Sequence, residues 1–374
     1  MHQKEYDIVI IGGGLAGLCT ALHLQRHHIR ILLIEKQEYP KHRVCGEYVS
    51  NEVLPYLNTL GIDPQAHGAI TISRFEISTR EGETIESDLP LGGFGISRYA
   101  LDKLLFDALD SSTNVLFDTA VSITYLNDEF TVLTQNKKAV KCRFVVGSFG
   151  KRSLLDKRLG RDFINKRTHW MAVKAHYDFD FPEDMVALHN FEGGYCGLSK
   201  TETGAVNACY LTTLKSFNKA NGIEDFQKTI MSKNKKLDYF FKNARQIFEK
   251  SLSISQISFA KKSVIHNHIF MLGDSAGLIH PLCGNGMAMA IHAAKIFSEI
   301  YLEEIHQKNS DREVLESAYQ NMWKTTFSER LRAGARIQRL LLNDTASAFT
   351  YKAISRFPSI LPYVIRKTHG SLMV

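Results

Sequence analysis

The chain has 374 residues, enough for two domains, and its 44% apolar and 23% charged residues are typical of a globular protein with a sizeable core. Its net charge of +7 lacks the clustered basic and aromatic residues of a nucleic-acid-binding module, so nucleic acid is not an expected partner. Six scattered cysteines without metal-type spacing, and no run of about 18 apolar residues, predict free thiols, no metal site and no spanning helix. An apolar strand begins near residue 5 and leaves no space for a signal peptide, so we expect a cytoplasmic protein.

The first elements predict a strand–helix–strand unit. The apolar run Tyr6–Ile11 is typical of a buried parallel strand, Leu15–His27 of a helix, and Ile29–Ile34 of a second buried strand. The turn between the first strand and the helix, residues 12–17, has the pattern G-x-G-x-x-G.

Each glycine of this turn has a physical role in binding a dinucleotide. Gly12 allows the tight turn, Gly14 lets the backbone approach a pyrophosphate, and Gly17 lets the helix pack on the strand. The phosphates then contact N–H groups at the positive end of the helix. Glu35 lies 18 residues after Gly17 at the end of the second strand, where its carboxylate can accept hydrogen bonds from a ribose. The expected contacts in this part of the chain are Gly12, Gly14, Leu15, Ala16, Gly17, Glu35 and Lys36.

The later elements mix strands and helices, and a sheet over 168–212 interrupts the pieces of the nucleotide site. In chain order they are predicted as a helix over Asn51–Leu60, two strands between Ala69 and Asp88 joined at Glu81-Gly82, a helix over Tyr99–Leu109 capped by Ser97, short strands over 115–146, four antiparallel strands over 168–212, a helix over Asp225–Ala244, a strand over Ile269–Leu272, and helices over Gly284–Glu304, 311–342 and the remainder.

The segment that follows the strand Ile269–Leu272 identifies the dinucleotide. Gly273-Asp274-Ser275-Ala276-Gly277, with Pro281 and two further glycines after it, resembles the G-D-A-A-G-x-x-x-P-x-x-G-x-G segment of FAD-dependent monooxygenases and their relatives. The resemblance implies that Asp274 contacts the ribityl chain of FAD and that the next helix begins at the flavin edge, where it stabilises negative charge. Arg98 matches the R-x-x-L-D helix start of the same family.

Two segments are most similar to the geranylgeranyl reductase branch of this superfamily. Residues 43–47, Arg-Val-Cys-Gly-Glu, resemble its C-G-E/G-G segment over the flavin, and residues 281–287, Pro-Leu-Cys-Gly-Asn-Gly-Met, resemble its flavin turn. Residues 193–198 stand where that branch carries Y-x-W-x-F-P, but the Trp and the Phe-Pro are missing. The resemblance implies that FAD is bound by Arg43, Val44, Cys45, Arg98, Val121, Gly273, Asp274, Pro281, Gly284, Asn285, Gly286 and Met287.

The fold expected from these features is α/β. A Rossmann-type, glutathione-reductase-like FAD-binding domain would comprise 1–68, 97–165 and 256–305. An inserted antiparallel-sheet substrate domain would comprise 69–96 and 166–255, followed by a helical C-terminal region, 306–374.

One departure from the aromatic hydroxylases of the superfamily concerns the electron donor. Their G-A-D-G-x-x-S segment corresponds to residues 147–153, where Phe149 replaces the Asp that helps to place FAD and NADPH. The sequence therefore leaves two alternatives for the electron donor, NAD(P)H and a separate reductase protein.

Four side chains are candidate catalytic groups if the resemblance holds. Cys45 and Cys283 would lie near the flavin as proton donors, pocket walls or a redox pair, although simple packing explains them equally. Glu47 could donate a proton if burial raises its pKa, or it could pair with Arg43 or cap the helix at Asn51. Tyr195 is an alternative acid or a pocket wall.

These features favour an FAD-dependent monooxygenase that hydroxylates an apolar aromatic, polyketide or lipid-type substrate. The alternative is an FAD-dependent reductase of carbon–carbon double bonds in an isoprenoid or lipid chain. A halogenase lacks support because its W-x-W-x-I-P segment is missing, and a non-enzymatic redox carrier or sensor is a minor alternative.

The C-terminal part of the chain is basic. No acidic residue follows Asp344, whereas four basic residues do: Lys352, Arg356, Arg366 and Lys367. This pattern is consistent with a basic tail packed on the body of the protein or with peripheral membrane association.

Overall fold

The computed structural model describes residues 5–306, 311–357 and 359–374. The strands in chain order are β1 (Glu5–Ile11), β2 (Ile31–Glu35), β3 (Tyr48–Ser50), β4 (Ile70–Ser78), β5 (Thr84–Gly95), β6 (Thr113–Phe117), β7 (Ala120–Leu126), β8 (Glu129–Thr134), β9 (Ala139–Gly147), β10 (Trp170–Asp178), β11 (Met185–Phe191), β12 (Gly194–Lys200), β13 (Val206–Thr213), β14 (Arg245–Gln246), β15 (Leu252–Ser255), β16 (Ile265–His266) and β17 (Ile269–Met271).

The helices pack around two separate sheets. They are α1 (Leu15–Leu24), α2 (Leu54–Thr59), α3 (Arg98–Asp107), α4 (Leu154–Arg158), α5 (Leu214–Phe217), α6 (Ile223–Thr229), α7 (Lys235–Asn243), α8 (Gly286–His306), α9 (Arg312–Leu342), α10 (Asp344–Arg356) and α11 (Ile360–Thr368). Among the described residues, no helix combines the length and the apolar character needed to cross a bilayer.

The first sheet has the strand order β16-β17-β9-β1-β2-β6, and the hairpin β7-β8 extends it beside β9. β1 pairs in parallel with β2 and with β9, so that its residues Ile8–Ile11 are almost completely buried at the centre of the sheet. α1 and α8 pack against this sheet and against each other. The carboxyl ends of β1, β9 and β17 therefore meet at one edge, as a doubly wound nucleotide-binding sheet requires.

The second sheet has the order β14-β10-β13-β12-β11-β4-β5-β3, with β15 beside β10. β10 to β13 are the four antiparallel strands expected over 168–212. One face packs on α6 and α7, and the other packs partly on the C-terminal helices. β3 pairs with β5 and so joins this sheet, although it lies inside the segment 1–68 that was assigned to the first domain.

Several helix boundaries differ from the sequence prediction. The single helix expected over Asp225–Ala244 is two helices, α6 and α7, because Asn234 leaves the helical conformation and caps α7 with its side chain. The helix expected from Asn51 begins at Leu54, after a 3-10 turn. Ser97 does cap α3, since its Oγ accepts a hydrogen bond from the Ala100 N–H at 3.0 Å.

Candidate functional site

The glycine turn between β1 and α1 is shaped by close backbone contacts. Gly12 has φ +106°, and a Cβ there would lie 2.4 Å from the Ser148 carbonyl oxygen at the end of β9. A Cβ at Gly17 would lie 2.1 Å from the Gly12 oxygen, so the start of α1 is pressed against the turn. Gly12 and Gly17 are thus required by the fold itself, independently of any ligand.

Gly14 differs from its neighbours in having open space beside it. A Cβ there would meet only the Arg98 Nη2 atom, at 3.7 Å, and no side chain caps α1 at this residue. At the start of the first turn, which begins with Leu15 and Ala16, no side chain caps the helix with a hydrogen bond. Such a helix end, with no acidic residue in its first turn, fits the pyrophosphate of a dinucleotide.

Glu35 lies at the end of β2 and is buried beside this turn. Its Oε2 accepts a hydrogen bond from the Gly13 N–H at 2.8 Å, and its Oε1 pairs with the Lys41 ammonium at 2.8 Å. Burial alone would raise the pKa of Glu35, but Lys41, Arg43 and the Gly13 N–H together lower it below its usual value. The carboxylate is therefore held ionised, as an acceptor for a ribose must be. Lys36 is exposed at the surface, and Lys41, which sequence reasoning missed, makes the ion pair.

Arg98 lies at the start of α3 and is fixed beside the glycine turn by a buried carboxylate. Its Nε and Nη2 each donate to Asp102, at 2.8 Å, and the Arg43 Nε donates to the same carboxylate at 3.1 Å. Because Asp102 is fully buried, both guanidinium groups are oriented rather than free to rotate. The structure thus brings Arg43 and Arg98 together near Gly14.

The loop after β17 carries Asp274, whose main chain is anchored by two buried cations. Lys262 Nζ donates to the Asp274 carbonyl at 2.6 Å, and Arg161 Nη2 donates to the Ser275 carbonyl at 2.8 Å. The Asp274 carboxylate has no hydrogen-bond partner in the part of the chain that the structure describes, which leaves it available to a ribityl hydroxyl. Neither Lys262 nor Arg161 carries a sequence signal, since both are isolated basic residues in loops.

The turn Pro281–Cys283 leads into α8 through Gly284, which has φ +64°. A Cβ at Gly284 would lie 3.0 Å from Tyr48 Cδ1, so this turn packs against the start of the second sheet. No acidic residue occupies the first turn of α8, which contains Gly286 and the buried Met287. The helix end remains suited to face an anionic flavin edge.

The Asn285 side chain contacts the C-terminal segment. It is fully buried, and its Nδ2 donates to the Thr368 carbonyl at 2.8 Å, while its Oδ1 has no hydrogen-bond partner among the described residues. The side chain thus ties the turn to the C-terminal segment, and contact of Asn285 with FAD stays a prediction. Val121 lies at a register shift between β7 and β8, and its carbonyl accepts a hydrogen bond from Arg158.

Glu47 is the most constrained of the candidate catalytic residues. It is fully buried, and its carboxylate receives three donors: the Arg98 N–H at 2.7 Å, the Lys174 ammonium, and His176 Nε2 at 2.7 Å. Burial would raise the pKa of Glu47, but His176 and Lys174 lower it below its usual value. The expectation of a raised pKa is therefore wrong, and so are the proposed pairings with Arg43 and with the helix at Asn51.

The ligand atoms of His42, Glu47 and His176 lie within 4.8 Å of one another, a spacing that a metal ion could span. The Lys174 ammonium is already bonded to Glu47 and is itself fully buried. A divalent cation between these ligands would stand beside that ammonium, and the repulsion opposes metal binding.

Tyr195 and Cys283 meet at the flavin turn. The Tyr195 hydroxyl accepts a hydrogen bond from the Leu282 N–H at 2.9 Å, and burial raises the pKa of this phenol well above its usual value. Burial also raises the pKa of the Cys283 thiol to about 12. Tyr195 therefore supports the turn and Cys283 is a neutral buried thiol. His280 is half-buried and stacks on Phe259 with ring centroids 4.0 Å apart.

Cys45 and Gly46 lie against the second sheet, and space opens beside Gly46. The Asn207 Nδ2 donates to the carbonyl of Cys45 at 3.2 Å and to that of Gly46 at 2.8 Å. A Cβ at Gly46 would meet no atom within 4 Å. All six cysteines are free thiols. Gly46 is exposed and the space beside it is open, and the position of a flavin ring there is what the resemblance implies.

A groove of about 670 Å³ lies between β5 and the C-terminal segment. Tyr48, which contacts the flavin turn at Gly284, forms one wall. The groove is lined by Tyr48, Leu89, Pro90, Leu91, Gly92, Ile365, Arg366, His369, Gly370, Ser371, Leu372 and Val374. It is thus largely apolar, with the cationic Arg366 on one side and His369, whose pKa is lowered by burial, beside it.

The chain is similar to known proteins along nearly its whole length. A family model described as an FAD binding domain matches residues 5–319. Digeranylgeranylglycerophospholipid reductase 1 of Methanosphaera stadtmanae is 23% identical over 86% of this chain and 81% of its own length. Among solved structures, a flavin-dependent brominase has a TM-score of 0.79 at 17% identity, covering 98% of this chain and 93% of its own. A geranylgeranyl bacteriochlorophyll reductase-like protein of Thermoplasma acidophilum has a TM-score of 0.75 at 18% identity, covering 99% and 93%. At these identities the two structures show the fold alone, which is the predicted FAD-binding fold.

Proposed function

This chain belongs to the FAD binding domain family and is an FAD-dependent oxidoreductase, and we propose that it hydroxylates a substrate with a long apolar part. Bound FAD, once reduced, supplies the chemistry by activating O₂. The observation that carries the proposal is the state of Glu47. Its three donors hold it as a carboxylate, whereas saturation of a double bond needs an acid that protonates carbon.

The other candidate acids lead to the same conclusion. The phenol of Tyr195 is fixed at Leu282 and has a pKa well above its usual value, and the Cys283 thiol has a pKa of about 12. Both groups stay protonated near neutral pH but are weak acids, and this weakness disfavours rapid proton transfer to carbon. Hydroxylation instead requires a firmly held cofactor and a pocket that excludes water.

Different residues of the chain would hold different parts of FAD. The first turn of α1 holds the pyrophosphate, Glu35 the ribose, and Asp274 the ribityl chain. The carbonyls of Cys45 and Gly46 are fixed by Asn207, so that the open side of Gly46 receives the ring edge. Tyr48 contacts Gly284 of the flavin turn and also forms a wall of the groove, so this side chain connects the two regions.

The groove is the proposed entry for the substrate. Leu89 and Ile365 provide apolar walls, and Arg366 and His369 can bind a polar or anionic end group. Its volume of about 670 Å³ is within the usual range for small-molecule sites. We infer an apolar aromatic, polyketide or lipid-type substrate, consistent with the lipid named in the curated relative.

Reduction of carbon–carbon double bonds is the second candidate, because that curated relative, similar over most of both chains, is named as a lipid reductase. The two reactions differ in their need for O₂. The FAD-loaded protein is reduced without oxygen and mixed with a long-chain alkylphenol or with geranylgeranyl diphosphate. Incorporation of ¹⁸O from labelled O₂ into the alkylphenol supports hydroxylation, whereas anaerobic saturation of the diphosphate contradicts it and supports the reductase.

A matched pair of variants tests the groove. Leu89→Trp should fill it and lower turnover at least tenfold without changing the FAD content. Leu126→Trp, at a surface position that is 74% exposed and outside the groove, is the control and should have no effect. Equal activity of both variants would show that the substrate enters elsewhere.

Two partners are also part of the proposal. Exposed cations on α10 and α11, including Lys352 and Arg366, stand near the exposed aromatic side chains of Phe349 and Tyr363. We infer that this surface binds anionic membranes. The test is co-sedimentation with phosphatidylglycerol vesicles, compared with neutral vesicles.

Phe149 packs against Gly147 where related hydroxylases carry an acid, so we expect a separate reductase to supply electrons faster than NADPH alone.

A further inference from the structure

We propose that Gly197 determines which substrates the protein accepts, because it leaves room at the middle of the second sheet for a flat ring beside the flavin. The ring is the part of the substrate that reacts, and an alkyl tail attached to it lies in the groove beside Tyr48. The substrate class named here, an alkylated aromatic compound, rests on the hydroxylation proposed above.

Gly197 lies on the face of β12 that points to the proposed flavin site. Side chains alternate along a strand, so Tyr195, Gly197 and Ser199 share one face. The Tyr195 hydroxyl accepts a hydrogen bond from the Leu282 N–H in the flavin turn at 2.9 Å, and the Ser199 hydroxyl donates to the Gly46 carbonyl at 3.4 Å. Gly197 therefore lies between the two contacts that connect this sheet to the flavin turn and to Gly46.

The fold itself does not require a glycine at position 197. A Cβ there would lie 3.7 Å from the Cys209 carbonyl oxygen and 3.9 Å from that of Ala187, which are ordinary van der Waals distances, and its φ is not in the left-handed region. By contrast, a Cβ at Gly194 in the same strand would lie 2.1 Å from the Leu211 carbonyl oxygen. Glycine inside a strand weakens it and often marks a place where a ligand approaches closely. The missing side chain at position 197 thus indicates space for a ligand.

Cys209, the neighbour of Gly197 on β13, enlarges this space because its side chain is small. The two residues pair across β12 and β13, and both are partly exposed. The residues two positions along on the same face, Tyr195 and Leu211, are almost completely buried. Gly197 and Cys209 are therefore the floor of a pocket between the flavin turn and Gly46.

The floor of this pocket is apolar and wide. Burial raises the pKa of the Cys209 thiol to about 12, so the thiol is a neutral, polarisable group near neutral pH. Lys174, which pairs with Cys209 across β10 and β13, is occupied by its ion pair with Glu47. Tyr195 and Ser199 are four positions apart, which corresponds to about 13 Å along the strand. Because protein interiors are densely packed, a flat ring fills such a space better than a single thin hydrocarbon chain.

Gly197 also marks a difference from the geranylgeranyl reductase branch. Tyr195-Cys196-Gly197 stands where that branch carries Y-x-W, so Gly197 occupies the position of the missing Trp. A Trp side chain here would occupy the space above Cys209. We therefore expect this chain to accept a wider group at this point than a protein that carries Trp.

The flavin turn connects the pocket to the groove. The Leu282 N–H binds Tyr195 at the pocket, and Gly284, two residues later, packs on Tyr48, which is a wall of the groove. The pocket and the groove thus lie at the two ends of one turn. This arrangement fits a substrate whose ring occupies the pocket and whose tail occupies the groove.

The test measures binding to the oxidised, FAD-loaded protein by isothermal titration calorimetry. The probes are para-nonylphenol, which has a ring, and nonyl alcohol, which has the same chain without one. Gly197→Trp should weaken binding of nonylphenol about tenfold or more and change binding of nonyl alcohol by less than about twofold, because only the ring uses the pocket. Gly197→Ala is the matched control, since its methyl group fits beside the Cys209 and Ala187 carbonyls, and both affinities should stay as in the wild type.

A second variant fills the same space from the neighbouring strand. Cys209→Phe should reproduce the selective loss of nonylphenol binding, and the FAD content of every variant should equal that of the wild type. Unchanged nonylphenol binding in Gly197→Trp and Cys209→Phe, an equal loss for both probes, or a wild type that does not bind nonylphenol would overturn the proposal. Selective loss of nonylphenol binding without ¹⁸O incorporation in the wild type would contradict the hydroxylation and support the pocket.

Discussion

The glycine turn at residues 12–17 and the segment Cys45–Gly46–Glu47 both belong to the proposed FAD site, but they are built in different ways. The turn is formed by neighbours in sequence, and its glycines are needed because backbone atoms of Gly12 and Ser148 are too close for a Cβ. The second segment is held by side chains 127 and 129 residues away on β10. In the proposed site, the first region would bind the pyrophosphate of the cofactor, whereas the second would surround its reactive end.

Substitutions in the glycine turn at residues 12–17 best separate a loss of FAD binding from a loss of folding. Gly14→Val should reduce the FAD content at least tenfold while the protein stays folded, because a side chain there meets only Arg98 at 3.7 Å in the protein itself. Absorbance at 450 nm and far-ultraviolet circular dichroism measure the two effects. Gly17→Val is the contrast, since its Cβ would lie 2.1 Å from the Gly12 oxygen and should unfold the domain. Stoichiometric FAD in Gly14→Val would contradict the phosphate site.

The second region is tested by removing its central charge. Glu47→Ala leaves Lys174 and His176 buried without their acceptor and should lower the free energy of unfolding by about 3–5 kcal/mol. Glu47→Gln retains acceptors for Lys174 and for the Arg98 N–H and should cost less. Urea denaturation measures both. Equal, small effects would show that the cluster does not hold this segment in place.

Lys262 extends the comparison to the Asp274 loop, because its ammonium donates both to the Asp274 carbonyl and to the Lys151 carbonyl, 111 residues away in sequence. Burial lowers the pKa of Lys262 from 10.5 to about 8. Between these values the unfolded chain binds more protons than the folded one, so the free energy of unfolding should rise with pH, by about 1.4 kcal/mol per pH unit. Lys262→Met should lack this rise above pH 8. The same pH dependence in Lys262→Met would show that Lys262 is not the group that causes the rise.

Tyr195→Phe should have the smallest effect. It removes the acceptor of the partly buried Leu282 N–H and should cost about 1–3 kcal/mol of stability without abolishing turnover. Thermal unfolding measures the loss of stability, and kcat measures the retained turnover. Complete loss of turnover in a stable Tyr195→Phe protein would instead make Tyr195 a catalytic acid and favour the reductase.

The difference between local contacts and contacts of residues far apart in sequence also explains which parts of the structure could be predicted from the sequence. The strand–turn–helix around Gly14, the cap at Ser97 and the strands β10–β13 follow from local pattern and were predicted correctly. The donors to Glu47 were not predicted, because they depend on which face of β10 meets residues 45–47 and no local signal records that pairing. The role of Asn285 was assigned by resemblance, and its contact with Thr368 depends on where the C-terminal segment docks.

A crystal structure of the FAD-loaded protein tests the central claim most directly. We predict the pyrophosphate at the N-terminus of α1 and the ring edge beside Gly46, between the Cys45–Glu47 segment and the turn at Gly284, with Glu47 still bonded to Lys174 and His176. A flavin ring placed away from Gly46, or a Glu47 carboxylate released from Lys174 to face the substrate groove, would contradict it.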